Sequence, residues 1–136
     1  MNTENAPTQT TTGSGAGPAE IGAAVASALR SGTKDRDLWD TWWDNDRIAS
    51  IEGDGSTWTG RKALEAKSEA WEAENEVTSF EINGPFVGAT GFALHYSVGL
   101  KNRKTGEKMD MTEVAVYTVE NGKVVREEFM YSHAAG

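Results

Sequence analysis

The sequence of 136 residues predicts a single α+β domain in which helices come first and a mostly antiparallel sheet follows. Three observations carry that prediction. Apolar residues recur at helical spacing in three stretches before Asn75, whereas beyond it they alternate with polar ones. The second half is rich in Val, Tyr, Phe and Thr, side chains that fit a pleated surface. Asn121-Gly122 stands between two such runs, the signature of a two-residue hairpin.

Taken in order, residues 1–17 hold no aromatic and no branched apolar side chain and predict a disordered tail. Such a segment cannot offset the ~1–2 kcal/mol per residue that ordering a backbone costs. The stretch 18–136 suffices for one hydrophobic core and not for two. Pro18 opens a first helix whose apolar stripe, Ile21, Val25, Ala28 and Leu29, ends near Ser31-Gly32. A second, short helix is expected over about 34–43, with Thr33 as cap and Asp35 and Asp37 in its first turn. Ile48, Ala49 and Ile51 read as a strand that ends at Gly53-Asp54-Gly55. The third helix spans about 60–75, capped by Thr59, with Leu64 and Trp71 inward; its EAKSEAWEAENE run reads as a solvated face. Four strands close the chain at about 77–87, 91–101, 108–120 and 123–132.

Turn chemistry extends this to side-chain faces. A hairpin at Asn121-Gly122 pairs Val116 with Glu127 and Val114 with Phe129; a three-residue turn at Lys104-Thr105-Gly106 pairs Leu94 with Val116 and Tyr96 with Val114. The face under the helices then carries Leu94, Tyr96, Val98, Asp110, Thr112, Val114, Val116, Glu127, Phe129 and Tyr131. The opposite face carries His95, Met111, Glu113, Tyr117, Arg126, Glu128 and Met130. That second face is too apolar for plain solvent and suits a second copy of the chain, a homodimer.

Composition excludes several classes. With no cysteine and only two histidines, the chain predicts no metal site, and nothing in it calls for a cofactor. Twenty-one acids against 13 bases argue against nucleic acid, and no apolar run is long enough for a membrane or export segment. The expectation is a soluble cytoplasmic protein. The imbalance is local: residues 37–81 hold twelve acids and four bases, while 1–36 and 82–136 are each balanced.

The stretches SIEGDGSTWTGRKALEAKSEAWEAENEV, FEINGPFVG and MDMTEVAVYTVENGKVVREEFMY resemble uncharacterised bacterial SnoaL-like proteins of the nuclear transport factor 2-like superfamily, over roughly 38–131. The resemblance implies a cone-shaped α+β barrel, a homodimer and a pocket between helices and concave sheet. It does not imply a reaction, since members range from ketosteroid isomerase and polyketide cyclases to plain binding domains. Glu52 falls near the position where the isomerase places its base. Val116, however, occupies the oxyanion-hole acid position, and no tyrosine precedes residue 96, which argues against steroid isomerisation.

The residues themselves suggest a pocket walled by Trp39, Trp42, Trp43, Trp58 and Trp71, suited to a flat apolar ligand. Glu127, alone among apolar side chains, must find a partner, raise its pKa or face a wet cavity, and with Glu52 it forms a candidate acid–base pair. The alternative is a binding module in which both carboxylates are locked in salt bridges. His95 reads as an interface residue, and His133 as part of a tail that folds over the mouth. The acidic rim favours a neutral or cationic ligand.

Overall fold

The computed structural model describes residues 15–131; the expected tail lies almost wholly outside that range, as does His133. The order of elements is α1 (Pro18–Arg30), α2 (Asp35–Trp42), β1 (Ala49–Ile51), β2 (Thr57–Thr59), α3 (Arg61–Glu74), β3 (Asn75–Val87), β4 (Gly91–Asn102), β5 (Lys108–Glu120) and β6 (Lys123–Met130). Three helices pack on a six-stranded, curved and unclosed sheet ordered β2-β1-β6-β5-β4-β3. Every neighbouring pair is antiparallel except β1 with β6.

Helix α1 buries Ile21, Val25 and Ala26 against the sheet. Gly22 lets it approach closely, since a β-carbon there would lie 3.0 Å from the Phe92 ring. Helix α2 carries Asp35 and Asp37 in its first turn, where the helix dipole favours acids, and buries Leu38 and Trp39. Neither expected hydroxyl cap forms: the N-cap of α2 is Lys34, and that of α3 is Gly60 at φ 87°, because Thr59 is occupied as the last residue of β2. After α2, Trp43 bridges to Val124 and leads the chain into the sheet edge where β1 joins β6.

Two departures from the expected register decide what the sheet presents to the helices. The β4–β5 turn holds four residues rather than three, closed by Asn102 N–H to Glu107 O at 2.8 Å. Asn102 Oδ1 accepts the N–H groups of Lys104 and Thr105, both at 2.9 Å, and so organises the longer turn. Tyr96 therefore faces Glu113 and Leu94 faces Ala115, one residue away from the expected partners. The Asn121-Gly122 hairpin forms as expected, with both residues at positive φ and Glu120 opposite Lys123. A bulge follows, however: Val119 faces Val124, Thr118 faces Arg126, and Val125 is the extra residue. Because strand side chains alternate, the two one-residue shifts invert β5 alone and cancel at β6.

Candidate functional site

A cavity of about 770 Å³ lies between the helices and the concave sheet. Trp39 from α2, Trp43 from the following linker, Trp58 from β2 and Trp71 from α3 contribute indoles to its wall. Phe80, Tyr96, Val98, Met111, Tyr117 and Phe129 form the sheet side. Among the described residues five acids line it, Asp35, Glu52, Glu74, Glu113 and Glu127, against a single base, Lys67.

On the side of β1 and α3 the polar groups are partnered. Glu127 is buried; Trp43 Nε1–H donates to its Oε1 at 2.9 Å and Ser50 Oγ–H to its Oε2 at 2.7 Å. Burial nevertheless pushes its pKa up, against the lowering effect of those two donors and of the nearby Lys67 cation. Lys67 Nζ donates to Ser50 Oγ at 2.8 Å and pairs with Glu52, which also accepts the Tyr131 hydroxyl at 3.3 Å. The Lys67 ammonium sits 4.6 Å from the Phe129 ring centroid and 5.3 Å from that of Trp58. Gly53 lies flat beneath the Tyr131 ring; a β-carbon there would come within 2.8 Å of it.

The sheet floor is different. Glu113 on β5 points into the cavity, and among the described residues no hydrogen bond or ion pair holds its carboxylate. Burial, then the charges of Glu52 and Glu127 against that of Lys67, raise its pKa to about 7. Its cross-strand neighbour Tyr96 shares one hydrogen bond with Tyr117, hydroxyl to hydroxyl at 2.6 Å. Tyr117 is fixed by stacking on Phe92 at 4.8 Å between centroids and by an edge contact with Trp43.

The structure thus brings Glu52, Glu127, Trp39, Trp43, Trp58, Trp71, Tyr96, Val98, Phe129 and Tyr131 to one cavity. Leu94 is fully buried in the core beneath it, and Trp42 packs partly buried against the same core. The expected placement of β5 is corrected: Asp110, Thr112, Val114 and Val116 lie on the outer face, while Met111, Glu113 and Tyr117 face the cavity. The cause is the four-residue turn together with the bulge at Val125. The outer positions of His95, Arg126, Glu128 and Met130 stand, with His95 in contact with Asn83 at 3.3 Å. Lys67 was hidden in the run read as a solvated helix face; its place one turn beyond Leu64 was the available signal. Among the described residues no group of three or more His, Asp or Glu is arranged to hold a metal, and no helix is long and apolar enough to cross a membrane.

Helices over a concave antiparallel sheet, with a mixed aromatic and acidic cavity between them, define an α+β fold of the ketosteroid isomerase-like kind. The chain belongs to the SnoaL-like domain family, whose model matches residues 23–131. It is 34% identical to a Mesorhizobium loti protein provisionally named a SnoaL-like polyketide cyclase (carbohydrate phosphatase), covering 83% of this chain and 97% of that one at a TM-score of 0.76. A nuclear transport factor 2-like protein of Burkholderia thailandensis superposes at a TM-score of 0.71 with 15% identity, over 85% and 90% of the two chains. A Catenulispora acidiphila protein with a ketosteroid isomerase-like fold, crystallised with trimethylamine, does so at 0.65 with 16% identity, over 83% and 85%. No curated protein matches the sequence.

Proposed function

We propose that the cavity binds a compact, largely apolar small molecule, neutral or cationic, and that Glu113 exchanges a proton with it. The observation that carries this is the Glu113 carboxyl, unpartnered among the described residues and set among aromatic walls, its pKa raised to about 7 chiefly by burial. A group titrating near neutral pH serves both as base and as acid. With a cyclic carbonyl compound, the Glu113 carboxylate takes a proton from the carbon beside the carbonyl. The C–H electron pair passes toward the carbonyl oxygen, and the resulting carboxylic acid returns the proton. The candidate pair Glu52 and Glu127 is set aside for this role, since Lys67 neutralises Glu52, and Trp43 and Ser50 hold Glu127. Those same locked carboxylates favour a second reading, a binding module without catalysis.

Two measurements separate these readings. In a fluorescence titration of the indoles, acetonaphthone and naphthylmethylammonium are expected to bind and naphthoate is not, because acids outnumber bases around the cavity. Binding of none, or of naphthoate most tightly, overturns the cavity reading. In heavy water, the protein is expected to speed hydrogen exchange beside the carbonyl of β-tetralone, and Glu113→Gln to abolish that effect. Binding without accelerated exchange leaves the module reading in place and removes the enzyme.

We further propose that two copies pair through the outer sheet face, where Val114 and Met130 are exposed beside Val116 and His95. Light scattering that reports a monomer at micromolar concentration removes this assignment.

A further inference from the structure

The Tyr96 and Tyr117 hydroxyls set a problem of hydrogen-bond counting. Each side chain is more than nine-tenths buried, at 7% and 4% exposure, and both reach the cavity. Together they own two O–H donors but share only one hydrogen bond, and among the described residues no other acceptor reaches either oxygen. Either atom can be the donor, so the proton left over belongs to whichever hydroxyl accepts. A buried donor without an acceptor is costly, which makes the cavity the place where its acceptor must sit.

The chemistry of that acceptor is narrowed by the surroundings. Burial pushes both phenols well above their ordinary range, and the carboxylates of Asp35 and Glu127 push in the same direction, so both hydroxyls remain donors at any physiological pH. The same negative charges disfavour an anionic acceptor. We infer that the Tyr96–Tyr117 pair is a ligand subsite that donates one hydrogen bond to an uncharged oxygen of the bound molecule, a ketone, aldehyde or ether. Phe80, 5.6 Å from Tyr96 between ring centroids, flanks the pair and supplies apolar surface for the rest of the ligand. This deepens the cavity reading above and rests on it.

The counting makes an unusual prediction about variants. Removing one hydroxyl leaves one donor with no internal acceptor, so Tyr96→Phe and Tyr117→Phe each keep one proton for the ligand; the double variant keeps none. Calorimetric titration with acetonaphthone and with ethylnaphthalene, its counterpart lacking the oxygen, reads this directly. Wild type and both single variants are expected to prefer the ketone roughly tenfold, the worth of one buried hydrogen bond, and the double variant to bind the two probes alike. Infrared spectra of the folded wild type give a second readout, a bound carbonyl stretch lower than in hexane, which holds even where the double variant fails to fold. Equal binding of both probes to wild type, an unshifted carbonyl stretch, or a preference surviving in the double variant overturns the subsite alone. Failure of wild type to bind either probe overturns the cavity reading as well.

Discussion

The two sides of the cavity treat their carboxyl groups in opposite ways. Toward β1 and α3, Glu127 accepts from Trp43 and Ser50, Ser50 accepts from Lys67, and Lys67 pairs with Glu52, which Tyr131 also reaches. This chain of contacts ties β1, α3 and β6 to the segments that carry Trp43, Glu52 and Tyr131 and leaves few polar atoms open to the cavity. Toward the sheet floor, among the described residues, Glu113 has no such partner and the tyrosine pair has a donor to spare. Burying polar groups with partners organises a core, whereas burying them without partners costs stability and is retained where a ligand is handled. The comparison teaches that Glu127, the more deeply buried carboxyl, is held as part of the scaffold, whereas Glu113 is left facing the cavity, where the proposed chemistry would use it.

The sharpest way to break this contrast is to remove each carboxyl in turn. Glu127→Ala strands the Trp43 and Ser50 donors and opens a void, so it is expected to cost about 3–4 kcal/mol in urea unfolding. A cost below about 1 kcal/mol would abolish the distinction drawn here. Glu113→Gln should behave in the reverse sense. Its folded pKa of about 7 lies above the unfolded carboxyl value of 4.5, so the native state binds this proton more tightly than the unfolded chain. The stabilisation is therefore full below pH 4.5 and is lost as pH rises through 7. At pH 8 the Gln variant is expected to exceed wild type by about 2 kcal/mol, the full shift being discounted for partial exposure, and to show a flatter dependence on pH. Equal pH dependence of the two proteins would mean that the Glu113 carboxyl is solvated, with the same affinity for its proton in the folded and unfolded chain.

Smaller effects test the link between the two sides. Lys67→Met removes the cation that opposes the rise at Glu113, so the Glu113 titration followed by carbon NMR should move further up, with a loss of about 1 kcal/mol in stability. A downward movement would contradict the electrostatic arrangement described. Tyr131→Phe deletes a hydroxyl that makes a long hydrogen bond to the already paired Glu52 and another with the Gly53 backbone, and about 1 kcal/mol or less is expected in the same unfolding assay.

Much of this arrangement is legible in the sequence, and the parts that are not share a physical origin. The helices follow from apolar spacing around Pro18, Leu38 and Leu64, and the hairpin from Asn121-Gly122, because those signals act over a few residues. Glu127 among apolar neighbours announces a buried carboxyl wherever its strand lies, and its face on β6 is read correctly because two errors cancel before it. Glu113 is misplaced by the same two errors. Turn length at Asn102 and the bulge at Val125 are each settled by a balance of about a kcal/mol between alternative hydrogen-bonding arrangements. That balance depends on contacts brought by the tertiary fold, such as Trp43 against Val124.

The sequence alone therefore determined the order of the helices and of every strand but the short β2, and the acidic and aromatic character of the cavity. Only the tertiary structure decided which residues of β5 face the cavity. The reason is the two-residue period of a strand: a shift of a single position, invisible to composition and pattern, exchanges Val114 and Val116 for Glu113 and Tyr117.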